Sequence, residues 1–301
     1  MGLLTNQETH RDSHRLEKPA AETQRWPKRN LILWRLMKND LTRLLWALKG
    51  GAIINLGLLA LTYSLASDSM DPAVVWPARI FFAVSAYRCL FPNRYVGNVV
   101  LHDSILSSTL VTRILATFSE VVYIYLFAYV IWTLNVNQVG WVDVFATWMV
   151  AQVVISQGCV WWAILRSEPR YFYYEELGWW LIFALNALAS VYLYSTAELP
   201  SNQALLLQLN LVFATGYLPW QVIHLWTLRK EARSAAGETQ AQAPRDLKSG
   251  FRAALFERQP TTSADAWGGW VGIVWMTSYW ALLIPLWIGL IVDILGEARG
   301  R

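Results

Sequence analysis

The sequence predicts an all-α fold: a polytopic transmembrane helix bundle of about seven spans, preceded by an amphipathic interfacial helix. Three observations carry this. No Lys or Arg occurs in residues 50–78, 114–165, 171–228 or 259–298, so the basic residues fall in blocks separated by apolar stretches. Basic residues beside span ends stay on the cytoplasmic side of a membrane, which makes such blocks a topology signal. Of the 301 residues, 55% are apolar and only 15% are charged, less charge than a soluble domain of this length carries. The chain also contains 18 Trp, a residue that gathers where helices cross the membrane–water boundary.

The elements follow in order. Residues 1–30 mix Glu, Gln, Thr, Arg and Lys with few apolar side chains, the composition of a disordered cytoplasmic arm and not of a signal peptide. In residues 31–49, Trp34, Met37, Leu41, Leu44, Leu45 and Leu48 recur at helical spacing while Arg35, Lys38, Arg43 and Lys49 occupy other faces. That segment is too charged to span and reads as an interfacial helix. The transmembrane domain, residues 50–296, holds seven apolar segments at 51–66, 74–90, 105–134, 141–165, 177–195, 205–226 and 267–295. Each suits a hydrocarbon layer about 30 Å thick. A polar loop, 229–266, separates the last two, with seven basic residues between Arg229 and Arg258.

The arm and the loops after the second, fourth and sixth spans carry the basic residues, whereas the opposite loops hold Asp68, Asp71 and Glu198. The N-terminus is therefore expected in the cytoplasm and the C-terminus on the opposite side. Trp76, Trp132 and Trp141 then mark the outer interface. Trp161, Trp162, Trp179, Trp180, Trp226 and Trp267 mark the inner one. The net charge is +4 and the pI about 9.1. Because that charge sits beside the spans, it points to anionic lipid at the cytoplasmic face and away from nucleic acid. The 229–266 loop offers a place for a protein partner.

The densest polar stretch runs from Tyr87 to Arg94 and on through His102, Asp103 and Ser104. The third span then carries Arg113, Thr117 and Glu120 on one helical face, and charges inside a span are costly unless they meet partners or water. Polar stripes recur as Gln152 and Ser156, as Asn186, Ser190 and Tyr194, and as Asn210, Tyr217, Gln221 and His224. Such stripes commonly join neighbouring helices by hydrogen bonds. Arginines near an interface suit a phosphate or carboxylate, because a guanidinium binds oxyanions through paired hydrogen bonds. Arg88, Arg94 and Arg113 are thus candidate anion-binding residues. His102, Asp103 and Glu120 are candidates to handle protons. Asn186, Asn210, Gln221 and His224 would wall the pocket. No ligand spacing identifies a metal site, and no cofactor is named by the sequence. A retinal chromophore would need a lysine within a span, and the spans have none.

Three readings of function follow. The leading one is a cytoplasmic-face pocket that binds or processes an amphipathic anion such as a lipid headgroup or isoprenoid. The second is a transporter or channel with a polar route past Arg79, Glu120, Asn186 and Asn210. The third is a non-catalytic membrane subunit or scaffold.

Overall fold

The computed structural model describes residues 41–64, 70–237, 245–269, 272 and 276–296. The arm at 1–30, the first half of the amphipathic segment and residues 238–244 of the polar loop lie outside these. The expected all-α membrane bundle is present.

Among the described residues, six helical segments are long and apolar enough to cross a membrane. They are α1 (Thr42–Ser64), α2 (Pro72–Leu90), α3 (Thr109–Leu134), α4 (Gly140–Arg166), α5 (Arg170–Thr196) and a C-terminal span at Ser278–Leu295 that ends in α8 (Leu283–Leu295). Between α5 and α8 come α6 (Ser201–Gly237) and the short α7 (Leu247–Phe256). The sixth expected span falls in α6. That helix is 37 residues long, but Gln203, Gln208, Asn210, Gln221 and His224 dilute its apolar content. It nonetheless runs antiparallel to α5, because Gln208 meets Tyr194, Asn210 meets Ser190 and Gln221 meets Glu176.

The two ends of the bundle are set by contacts far apart in sequence. At one end, Leu41 N–H donates to the Thr262 carbonyl at 2.8 Å and Arg245 N–H to the Arg166 carbonyl at 3.1 Å. At the other, Asp71 N–H donates to the Gly296 carbonyl at 2.7 Å, while the Asp71 side chain caps α2 and accepts from the Tyr129 hydroxyl. Consecutive helices from α1 to α6 pack side by side, and the C-terminal span returns against α1, α2, α3 and α6. α3 is the central helix, touching α2, α4, α5, α7 and α8.

α1 begins earlier than expected. Leu41, Leu45 and Leu48 are buried, so the second half of the amphipathic segment is continuous with the first span. Gly51 does not interrupt it, since a side chain there would press on Ala281. Small residues let membrane helices approach this closely. Gly178 plays the same part between α5 and α4, facing Ser156 and Gln152.

The C-terminal span opens with a π-helical turn, Thr277–Leu282. Proline has no N–H to give an intrahelical bond, and in the i→i+5 register Pro285 is the residue that would serve the Trp280 carbonyl. Asn55, fully buried in α1, supplies the missing donor at 2.9 Å and also holds the Gly51 carbonyl at 2.8 Å.

At the Leu41 end, three two-residue strands tie the loops together. β1 (Asn93–Arg94) pairs antiparallel with β2 (Val99–Val100), and β2 pairs parallel with β3 (Gln259–Pro260). Gly97 and Asn98, both at positive φ, form the tight turn between the first two. This end, with α7, is the loop face.

The aromatic residues divide. Trp76, Trp141, Trp162 and Trp226 lie on the outside of the bundle, whereas Trp179 and Trp267 are buried. Trp267 belongs to no interface belt. It plugs the turn before the last span, with its indole N–H on the Thr261 carbonyl at 2.7 Å.

Candidate functional site

The third-span charges form a closed network. Arg113 and Glu120 stand seven residues apart on α3, hence on one face, and the guanidinium grips the carboxylate with both terminal nitrogens, at 3.3 and 2.8 Å. Gln157 of α4 completes the triangle: its Oε1 accepts from Arg113, and its Nε2 donates to Glu120 Oε2 at 2.9 Å. Arg113 is 1% exposed and Glu120 6%. One turn along, the Thr117 hydroxyl donates to the Arg113 carbonyl and accepts from the Trp161 indole at 3.0 Å. This pair therefore joins α3 to α4, and its charges are matched to each other.

Arg88 differs. It sits in the last turn of α2, 7% exposed, and donates Nη1 to the Tyr95 hydroxyl. Its guanidinium carbon lies 4.6 Å from the Trp280 ring and 5.2 Å from the Tyr95 ring. Arg113 lies 5.3 Å from the same Tyr95 ring. Two buried guanidiniums thus share one tyrosine. Of these two, only Arg113 has a carboxylate within 4.0 Å among the described residues.

Tyr95 also lines an open cleft of about 250 Å³ on the loop face. The turn at 95–98, the end of α4, Pro169, Phe172 and α7 line it, with Arg245, Glu257 and Gln259 at its polar side. Arg245 and Glu257 pair at 3.3 Å. Arg94 faces elsewhere. Its Nη1 donates to the Ala266 carbonyl at 2.9 Å and so fastens β1 to the turn before the last span. Of the three arginines expected to form one anion-binding set, Arg88 and Arg113 meet at Tyr95, whereas Arg94 is held at the Ala266 carbonyl.

A second polar group lies between α5 and α6. Gln221 Nε2 donates to the Glu176 carbonyl at 3.0 Å and to Glu176 Oε2 at 2.6 Å, and His224 Nε2 is 3.9 Å from Glu176 Oε1. Glu175, buried, lies within electrostatic reach of Arg113, Glu120 and Glu176. Nearer the far end, Asn210 Nδ2 donates to Asn186 Oδ1 at 3.3 Å and to the Ser190 hydroxyl at 3.1 Å. Between these polar levels stand Phe183, Phe213 and Tyr217, in mutual ring contact.

His102 and Asp103 form a third, separate group. Asp103 accepts from Arg258 Nε at 2.8 Å across the loop face. The His102 ring stands edge-on to Trp46 and Phe91. Its partial burial, and then the Lys49 cation, hold its pKa below the ordinary imidazole value. The adjacent pair is thus aimed at two different partners, as adjacent residues usually are. Among the described residues, no group of three or more His, Cys, Asp or Glu is arranged to hold a metal.

Tyr95, Gln157 and Trp280 carry no signal in the sequence alone. Gln157 neighbours the Gln152 and Ser156 stripe, but which side of α4 meets α3 depends on packing. Trp280 reaches Arg88 from the π-helical turn. The sequence matches no family model, no curated protein and no solved structure.

Proposed function

We propose that the protein is a membrane protein whose loop face, lying in the cytoplasm, binds an amphipathic anion through the cleft walled by Tyr95. One observation carries this reading: two buried guanidiniums share the ring of Tyr95, which lines an open cleft, and among the described residues only Arg113 of the two has a carboxylate within 4.0 Å. A cation buried away from water, as Arg88 is, is costly without a charge partner. An anionic headgroup entering past Tyr95 supplies one. Arg88 is the anion-binding residue in this account, and Arg113 holds Tyr95 and the α3–α4 contact in place. The apolar side of the cleft, from Ala163 and Ile164 to Phe172, Ala253 and Ala254, suits the chain that such an anion carries.

The test is native mass spectrometry of the purified protein offered phosphatidic acid, phosphatidylglycerol and a prenyl diphosphate in turn. Losing a charge-assisted hydrogen bond weakens binding by about tenfold or more, so Arg88→Ala should release the preferred anion. Arg258→Ala, whose partner is Asp103 on the loop face, should not. Equal retention by wild type and Arg88→Ala would overturn the assignment.

The polar levels along the α5–α6 seam favour one second reading, a transport route past Glu176, Gln221 and His224 toward Asn186 and Asn210. Flux into proteoliposomes that vanishes in Glu176→Gln and survives Arg88→Ala would support it over the binding pocket.

A further inference from the structure

α7 has three distinct edges. Gly250, Ala253 and Ala254 are buried against the bundle, and Gly250 lies so close to the Leu165 carbonyl that a side chain there would collide with it. Next round the helix come Leu247, Phe251 and Leu255, four residues apart and hence on one line; Leu247 is 44% exposed and Phe251 46%. Beyond them, Lys248 and Arg252 form an exposed basic pair, also four apart, on a line that ends in Phe256, 60% exposed. A helix that faced only water beyond its protein contact would be polar on all of its outer side. This one is apolar and then basic.

Its height in the molecule gives that order a meaning. α7 is docked on Leu165 and beside Arg166, the last turn of span α4, and Arg245 just before it is hydrogen-bonded to the Arg166 carbonyl. The end of a span marks the boundary between hydrocarbon and headgroups. A helix lying there with an apolar line toward the hydrocarbon and a basic pair beside it fits an anionic interface.

We infer that α7 is a membrane-surface helix whose Leu247–Phe251 edge enters the leaflet in which the protein is embedded, with Lys248 and Arg252 on anionic lipid phosphates. The occupant of this exposed edge is the bilayer's own anionic lipid. Because Ala253, Ala254 and Glu257 of the same helix and its C-cap line the cleft, the leaflet's charge would also hold the cleft's outer wall. The inference stands independently of the anion-binding reading.

It can be tested by spin-label accessibility in nanodiscs, in a background with Cys89 and Cys159 replaced by Ser. Single cysteines at Phe251, Leu247 and Ser249 would carry the label, in phosphatidylcholine alone and with about a third phosphatidylserine. The expected result is that labels at 251 and 247 meet oxygen and are shielded from a water-soluble nickel chelate, while the label at 249 meets the chelate. Replacing both Lys248 and Arg252 by Ala should lower the inserted-to-withdrawn ratio by about thirtyfold in phosphatidylserine discs and change little in phosphatidylcholine. Chelate access at 251 equal to that at 249 in the anionic discs would overturn the inference. So would shielding from both reagents by a co-purifying protein, which would make the edge a protein interface. Two labelling positions keep the test intact if one variant fails to fold.

Discussion

Arg113, Glu120 and Gln157 illustrate how a single buried ion pair constrains a helix bundle. Both charges are out of water and each is the other's partner, so removing one leaves the other unmatched. Glu120→Ala should therefore destabilise the protein by about 3–5 kcal/mol, whereas the double change Arg113→Met with Glu120→Leu should lie much nearer wild type. Thermal unfolding in one detergent would show whether the two variants separate. His102 makes a prediction about pH. Its folded-state pKa is held down by burial and then by Lys49, so the folded form favours the neutral ring more than the unfolded chain does. Its contribution is complete above the ordinary value of about 6.5 and is lost as pH falls through that value toward the lower folded one. His102→Phe should flatten the decline in thermal stability on the acid side of about pH 6.5. An unchanged slope would show that other groups set it.

At the scale of elements, the close helix contacts are the sensitive points. Gly178 brings α5 onto Ser156 of α4, and Gly250 brings α7 onto the end of α4. Overpacking a tight contact costs about 1–3 kcal/mol, so Gly178→Val should lower the unfolding temperature of the whole bundle. Gly250→Leu should instead free α7, visible as faster proteolytic cutting in residues 245–258 with the global transition little changed. Asn55 tests the π-helical turn. In Asn55→Leu the Trp280 carbonyl loses its side-chain donor, and an unsatisfied buried group costs about 1–3 kcal/mol. Equal stability of Asn55→Leu and wild type would mean that the last span returns to a register in which that carbonyl is satisfied.

For the whole molecule, the question is which helices cross. α6 is poorer in apolar residues than the six clear candidates, yet it is paired with α5 from Gln208 to His224. Cysteines at Asn202 and Lys248, in sealed vesicles of uniform orientation, should react with a membrane-impermeant thiol reagent from opposite sides. Reaction from the same side would mean that α6 does not cross.

The fold class was legible because hydrophobic length and the blocks of basic residues are properties of local sequence: any helix that buries about 20 apolar residues in lipid must satisfy its backbone internally. The pairing of Arg113 with Glu120 was legible for the same reason, since a spacing of seven on a helix fixes a shared face. The start of α1 was misplaced because charge on an outer face, at Arg43 and Lys49, says nothing of Leu41, Leu45 and Leu48 packing inward. Trp267 was placed at an interface because its burial depends on a turn formed by distant residues. Tyr95, Gln157 and Trp280 could not be found at all, since their roles come from neighbours on other elements. By itself, then, the sequence determined the helices, their lipid-facing character and the positions of the buried charges, all consequences of short-range periodicity and desolvation. Only the tertiary structure decided that Arg113 is spoken for, that Arg94 and Asp103 serve the loops, and that Arg88 meets Tyr95, which lines an open cleft, because which side chains meet is settled by how the helices pack.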